Sequence, residues 1–331
     1  LTKSLDMKHV AIIMGGYSSE YKISLLSGNV VYQSLDRSKY VPYRIHLFKN
    51  KWVFVADDEQ EYPIDKNDFS IIYQGKKIIF DVVFNAIHGS PGEDGLIQAY
   101  FELINMPHTS CGYYQAALTM NKRDMLSVLK PYGIKTAISY YLNQGDVIDT
   151  EAIIQKVGLP CFVKPNKSGS SFGISKPKTS EELLTAIDKA YLEDNEIIIE
   201  SFLEGTEVSV GVINYQGEVK VLPITEIVSE NDFFDYEAKY MGKSQEITPA
   251  RISEEVALKI SEITKKIYII LKMEGFSRSE FILVNGEPFL LEMNTIPGLT
   301  NESILPQQAR EANISLAALF DNAICLALDK S

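Results

Sequence analysis

The amino-acid sequence predicts a multi-domain protein whose class is α/β in its first third and α+β thereafter. Three observations carry that expectation. Near-continuous apolar strands alternate with amphipathic helices up to about residue 118, the pattern of a parallel sheet flanked by helices. Beyond residue 200, pairs of alternating strands meet at turn dipeptides, Gln216-Gly217 and Asn285-Gly286. With 331 residues, 45% of them hydrophobic, the chain is long enough for two or three separate cores. The expected units are residues 7–118, 119–204 and 205–331.

In chain order, "HVAIIMGGYSSEYKISLLSGNVVYQSL" reads as strand, glycine turn and helix, with Ser18 or Ser19 as the helix cap and an end near Leu35. "VPYRIHLF", "KWVFVA" and "FDVVFNAIHG" are strands, and "GLIQAYFELIN" is a helix. A parallel sheet of this kind places function at the carboxyl ends of its strands. "TMNKRDMLSVLKPYG" is a helix stopped by Pro131 and Gly133. "GLPCFVKP" and "FGISKP" are strands joined by "NKSGSS", "SEELLTAIDKAY" is a helix capped by Ser180, and "NEIIIESFL" is a strand. "GTEVSVGVINYQGEVKVLP" is a hairpin of two long strands, "EEVALKISEITKKIYIIL" a helix, "FSRSEFILVNGEPFLLEMN" a second hairpin, and "SLAALFDNAICLAL" a closing helix.

Composition narrows the function. A net charge of -12 argues against nucleic acid as the partner, because phosphate backbones select basic surfaces. No apolar run approaches the roughly 20 residues of a membrane span, and the amino-terminal apolar stretch is too short for a secretory leader. Cys111, Cys161 and Cys325 have neither metal spacing nor an even count for pairing, which points to a reducing cytoplasm. Met7, set directly before a strand, reads as the natural start, with residues 1–6 as an addition.

The second hairpin carries the sharpest chemical signal. Period-two alternation puts Phe289, Leu291 and Met293 on one face and Glu292 and Asn294 on the other. On the partner strand Arg278 and Glu280 oppose Phe281 and Leu283. Carboxylates and an amide crowded far from the turn suit a hard cation, Mg²⁺ or Mn²⁺, bound together with phosphates. A clean two-residue Asn285-Gly286 turn would set Glu280 and Glu292 on opposite faces. A shared metal therefore requires an odd loop, such as Val284-Asn285-Gly286, or an equivalent bulge.

Other stretches add to this. "VKPNKSGSSFG" places Lys164 at a strand exit before Ser168, Gly169, Ser170, Ser171 and Gly173, a small hydroxyl-rich loop able to approach phosphate oxygens. It lacks P-loop order, and "AIIMGGYSSE" lacks the dinucleotide fingerprint. Glu20 is either a first-turn carboxylate or a ligand. His88, on the glycine-rich "HGSPGEDG", favours function over core, and Asp94 suits a turn or cap. Lys122 lies in a first helical turn, where the dipole disfavours a cation, a hint of a ligand. Glu200 and Glu207, in or beside strands, have salt bridging as their ordinary reading. "FFDYEAKYMGKS" reads as a loop able to close over a site.

Taken in order, "GGYSSE", "HGSPGEDG", "MNK", "VKPNKSGSSFG", "DYEAKY", "RSEF" and "LEMNTIPG" resemble the D-alanine–D-alanine ligases of the ATP-grasp superfamily, over about residues 9–328. The resemblance implies the ATP-grasp fold of three domains, with ATP held between the central and carboxyl-terminal ones, and a cytoplasmic homodimer. By motif match, Lys122, Lys164 and Lys239 would meet ATP phosphates, and the loop with Ser168, Gly169, Ser170 and Ser171 would cover them. Glu200 and the backbone of Phe202 and Leu203 would meet adenine, and Glu207 the ribose. Glu280, Glu292 and Asn294 would hold two Mg²⁺ or Mn²⁺ ions. Glu20 would bind the first D-alanine's amine, with His88 nearby, and Glu20, Ser170 and Tyr240 would close the lid. Arg278 and the Gly298 N–H would stabilise an oxyanion, and Ser303 would hold the second substrate's carboxylate.

The implied reaction forms D-alanyl-D-alanine through an acyl phosphate. Glu280 departs from the Asp of many relatives, and Ile296 from a common Ser. Tyr240 stands where D-lactate-using relatives change the loop, which favours an amine acceptor. Another ATP-grasp ligase, or a nucleotide-binding protein without catalysis, are the rival readings. "DYEAKY" argues against the first, and the retained Arg278 and paired carboxylates against the second.

Overall fold

The computed structural model describes residues 7–169, 172–229 and 244–329. Strand β1 (Lys8–Gly15) is apolar enough to be buried on both faces, and it runs parallel to β2 (Tyr40–Phe48) and β7 (Val82–Asn85) on either side. The sheet then continues antiparallel through β3 (Lys51–Val55), β4 (Glu61–Asp65), β5 (Ser70–Tyr73) and β6 (Lys76–Ile78), in the order β6-β5-β4-β3-β2-β1-β7. The sheet is thus parallel only around β1. The Phe48↔Lys51 pairing leaves only a tight turn between β2 and β3, far too short for the crossover that parallel strands need.

Helix α1 (Tyr21–Ser34) covers one face of this sheet. Its N-cap is Glu20, one or two residues later than expected, and Ser18 instead accepts the Glu20 N–H at 3.2 Å. Helix α2 (Leu96–Leu103) covers the other face, packing Ile97 and Phe101 against Ile13, Ile45 and Val83.

Helices α3 (Tyr113–Met120) and α4 (Lys122–Leu129) are separated at Asn121, whose side chain caps α4 by accepting the Asp124 N–H at 3.0 Å. The expected single helix from Thr119 is therefore divided just before Lys122. Next comes a three-stranded sheet, β8 (Ser139–Asn143), β10 (Glu196–Ser201) and β9 (Cys161–Pro165), in the order β8-β10-β9. Helices α5 (Thr150–Val157) and α6 (Ser180–Tyr191) back it, and Thr179 rather than Ser180 caps α6. The expected strand "FGISKP" is reduced to a bridge between Val163 and Ser175, because Pro177 has no N–H to continue the ladder.

The last sheet runs β14 (Ser244–Ile247), β13 (Thr225–Ser229), β11 (Thr206–Tyr215), β15 (Phe276–Val284), β16 (Glu287–Asn294), with the short β12 (Glu218–Val221) paired to β11. Val208, Val210, Phe281, Leu290 and Met293 form its core with Met125 and Leu129 of α4 and with Ile260 and Ile267 of α7 (Glu254–Ile270). After α8 (Ile304–Glu311), helix α9 (Leu316–Leu328) packs Leu319, Phe320 and Ile324 into the same core as Val10, Ile12, Val82 and Phe84. The end of the chain is therefore bolted to its beginning.

Candidate active site

The β15–β16 hairpin settles its own register in two steps. Val284 pairs with Glu287, so Asn285-Gly286 is a clean two-residue turn, with both residues left-handed at φ 51° and 79°. The odd loop is not there. Leu283↔Pro288, Ile282↔Phe289 and Phe281↔Leu290 follow regularly, and the next pair is Glu280↔Glu292. Leu291 is skipped as a β-bulge, and this one extra residue moves Glu292 across to face Glu280. It also corrects the expected apolar face: Leu290 and Met293, not Leu291, enter the core. Arg278↔Asn294 is the next cross-strand pair on that face.

Two cations balance these acids. Arg278 Nε lies 2.9 Å from Glu280 Oε1, and Lys122 Nζ lies 3.3 Å from Glu292 Oε2. Lys122 also donates to the Ser168 carbonyl at 2.8 Å, so the start of α4 ties the small-residue loop to the hairpin. Among the described residues no group of three or more His, Cys, Asp or Glu side chains is arranged to hold a metal. Two carboxylates and an amide are a partial set, of the kind that a divalent cation completes with phosphate oxygens and water.

Lys164 and Glu200 lie on the adjacent strands β9 and β10, with Nζ 2.8 Å from Oε2 and both nearly buried. Burial pulls the lysine's pKa down, but Glu200, with Glu292 and Glu207 adding to it, outweighs burial and the net direction is upward, so the ammonium stays charged. Glu200 Oε1 is buried with no hydrogen-bond partner among the described residues. An orphaned acceptor of this kind fits a ligand amine such as that of adenine. Phe202 and Leu203 follow in the link from β10 to β11, with the Lys176 ammonium 4.1 Å above the Phe202 ring. Glu207, on β11, adds negative potential at Lys164.

A cleft of about 300 Å³ opens beside the hairpin, lined among others by Glu20, His88, Arg278, Glu292, Asn294, Gly298 and Ser303. An adjoining recess is shared by Lys122, Ser168, Gly169 and Glu292. Gly169 passes so close to Glu20 that a Cβ there would lie 2.9 Å from its Oε2. A Cβ on Gly298 would lie 2.6 Å from Ser303 Oγ, which itself bonds Thr300 Oγ1 at 2.7 Å. The long Glu20 side chain could swing away from a Cβ at Gly169, whereas the short Ser303 side chain, with its own Cβ 3.1 Å from that position, leaves less room at Gly298.

His88 is buried with both ring nitrogens engaged. Its Nδ1 faces the Ile296 carbonyl at 2.8 Å and must donate; its Nε2, 2.9 Å from Ser27 Oγ, accepts. Burial lowers its pKa, keeping it neutral. Asp94 accepts the Leu96 N–H at 3.1 Å as a turn residue, and Gly95, not Asp94, is the N-cap of α2. Ser170, Ser171, Lys239 and Tyr240, together with the "DYEAKY" loop, lie outside the described residues.

Sequence reasoning missed two acids that line the cleft. Glu93 accepts the Gly89 N–H at 2.7 Å and the Ile296 N–H at 3.1 Å; burial, then Glu20, push its pKa up to about 7. Glu246, on β14, accepts from Gln307 Nε2 at 2.9 Å, and burial raises its pKa. A lone carboxylate in a glycine-rich loop or on a short strand carries no spacing signal, and only the fold brings either to the cleft.

Two family models match the chain, D-ala D-ala ligase N-terminus over residues 9–111 and D-ala D-ala ligase C-terminus over 128–325. The D-alanine--D-alanine ligase of Flavobacterium johnsoniae is 73% identical over 97% of this chain and 100% of its own length. Among solved structures, the VanG D-Ala:D-Ser ligase of Enterococcus faecalis aligns with a TM-score of 0.85 at 30% identity, covering 97% of this chain and 100% of that one. The D-alanine--D-alanine ligase of Bacillus anthracis complexed with ATP aligns at a TM-score of 0.79 and 28% identity, covering 98% of each chain.

Proposed function

The chain belongs to the D-alanine–D-alanine ligase family, and on that premise we propose how its residues divide the reaction. It is an ATP-dependent ligase of the ATP-grasp fold, which joins two D-alanine molecules for peptidoglycan precursor synthesis. The observation that carries the residue assignment is the bulge at Leu291, which sets Glu280 opposite Glu292 beside the cleft that holds Glu20, Arg278 and Gly298.

Lys122 and Lys164 bind the nucleotide's phosphates, with Ser168 and Gly169 beside them and Ser170, Ser171 and Lys239 completing the set. Glu200, Phe202 and Leu203 take adenine, and Glu207 the ribose. Glu280, Glu292 and Asn294 hold two Mg²⁺ or Mn²⁺ ions, which when bound neutralise charge on the phosphoryl oxygens. Glu20 holds the first D-alanine's ammonium and leaves its carboxylate free to attack the γ-phosphorus, so that ADP departs and an acyl phosphate forms. Ser303 holds the second D-alanine's carboxylate while its free amine attacks the acyl carbon.

The oxygen that gains charge in that step is met by Arg278 and the Gly298 N–H, where one lost donor costs about 3–4 kcal/mol of barrier. Phosphate then leaves as hydrogen phosphate, carrying the proton that the amine gives up as the amide forms. Glu20, Ser170 and Tyr240 close the site, because an acyl phosphate exposed to water would hydrolyse. A cytoplasmic homodimer belongs to the same proposal. Among the described residues no single helix is long and apolar enough to cross a membrane.

The experiment is phosphate release from Mg-ATP with D-alanine, with L-alanine, and with D-alanine plus D-lactate, the product identified by mass spectrometry. Release that requires D-alanine and yields its dipeptide is expected. ATP binding without alanine-stimulated release would leave the fold assignment standing and remove the substrate.

A further inference from the structure

The segment that carries Gly298 is not held by its own strand alone. Ile296, two residues earlier, has both backbone polar groups taken by side chains from the loop after β7. Glu93 Oε1 accepts its N–H at 3.1 Å, and His88 Nδ1 donates to its carbonyl at 2.8 Å. One residue beyond Gly298, the Leu299 N–H donates to Ser27 Oγ at 3.2 Å. The other oxygen of Glu93 accepts the Gly89 N–H of its own loop at 2.7 Å. Glu93 therefore uses both oxygens as acceptors and joins two loops more than 200 residues apart in sequence (a separation of 203 for Glu93 and Ile296).

Its place is costly. It lines the cleft together with Glu20 and the adjoining recess with Glu292 and Asn294, so it adds a further carboxylate to a site whose cations, Arg278 and Lys122, already face Glu280 and Glu292. A link needed only to hold the fold together would be cheaper from a neutral side chain. Only a carboxylate offers two strong acceptors on one planar group, spaced to take an N–H from each loop.

We propose that Glu93 is a positioning residue of the ligation step: its carboxylate clamps the loop after β7 to the Ile296–Leu299 segment, and so fixes the Gly298 N–H relative to the first substrate at Glu20. The clamp acts on the second half of the reaction. A displaced Gly298 N–H leaves acyl-phosphate formation intact, because that step uses the phosphate-binding groups, but weakens stabilisation of the oxyanion formed as the amine attacks. The acyl phosphate then waits longer, and water takes a larger share of it. The inference rests on the ligase reading above.

The test is Glu93→Gln, which keeps size and one acceptor but turns an amide NH₂ towards one of the two N–H groups. Phosphate and dipeptide are measured together at saturating D-alanine and Mg-ATP. The expected result is a dipeptide rate lower by about tenfold or more, an ATP KM within about twofold of wild type, and a ratio of phosphate to dipeptide that rises clearly above the wild-type value. A merely structural role would lower both products together at a constant ratio, and that result overturns the proposal. If Glu93→Gln does not fold, Glu93→Ala removes both acceptors without turning an amide NH₂ towards either N–H, and an unchanged ratio in it overturns the proposal equally. Wild-type protein in the same assay separates the two readings: absence of dipeptide there defeats the ligase assignment itself, whereas dipeptide with an unmoved ratio in the variant defeats only the clamp.

Discussion

Lys164 and Glu200 are buried as a pair, 2.8 Å apart, and neither is tolerable there without the other. Removing one partner of such a pair strands a charge away from water. Glu200→Ala is expected to lower stability by about 3 kcal/mol and to raise the ATP KM, read by urea denaturation and by initial rates. His88 gives a signature in pH. Its pKa is lowered from 6.5 by burial, so between the lowered value and 6.5 the unfolded chain binds a proton that the native ring does not. Its contribution is therefore complete above pH 6.5 and is lost as pH falls below it. The stability difference between wild type and His88→Asn should shrink as denaturation midpoints are taken from pH 7.5 down to about 5.5; a constant difference would contradict the neutral, buried ring. His88, Lys122 and Glu292 were legible as candidates because their residue types are unusual for their local pattern. Glu93 was not, since its role depends on Ile296, a partner supplied by another part of the chain.

At the scale of the element, the β15–β16 hairpin shows how local rules combine. Asn-Gly called for a two-residue turn and the metal face called for an odd register; a bulge reconciles them. Deleting Leu291 should leave Phe281 opposite Leu290 and bring Glu292 next in line opposite Glu280, so this variant is expected to fold and keep measurable dipeptide synthesis. Inserting a glycine after Leu291 should slide Glu292 out of register and abolish synthesis; activity in the insertion and none in the deletion would refute the register argument. The acids on this hairpin also have cations beside them, Arg278 at 2.9 Å and Lys122 at 3.3 Å. Chelating divalent metal with EDTA should therefore stop turnover while shifting the melting temperature by no more than about 2–4 °C, on the order of 1 kcal/mol, as read by thermal melts with and without chelator.

At the scale of the molecule, the cleft exists because the chain closes on itself. Helix α9 packs Phe320 against Phe84, with centroids 5.4 Å apart, in a core shared with β1 and α1. Phe320 is fully buried, so Phe320→Ala is expected to cost about 3–5 kcal/mol, measured by chemical denaturation, although Phe320 is itself none of the proposed site residues. The sequence by itself determined the alternation of strands and helices, the turn dipeptides and the residue types suited to phosphate and a hard cation, because periodicity and side-chain chemistry are local properties, whereas the adenine assignment came only with the family resemblance. Only the tertiary structure decided that the first sheet turns antiparallel after β2, that Glu292 faces Glu280 across a skipped Leu291, and that Glu93 and His88 grip the two sides of Ile296. Those outcomes depend on which distant surfaces meet, and a hydrogen bond or a core between distant segments leaves no periodic trace in either one.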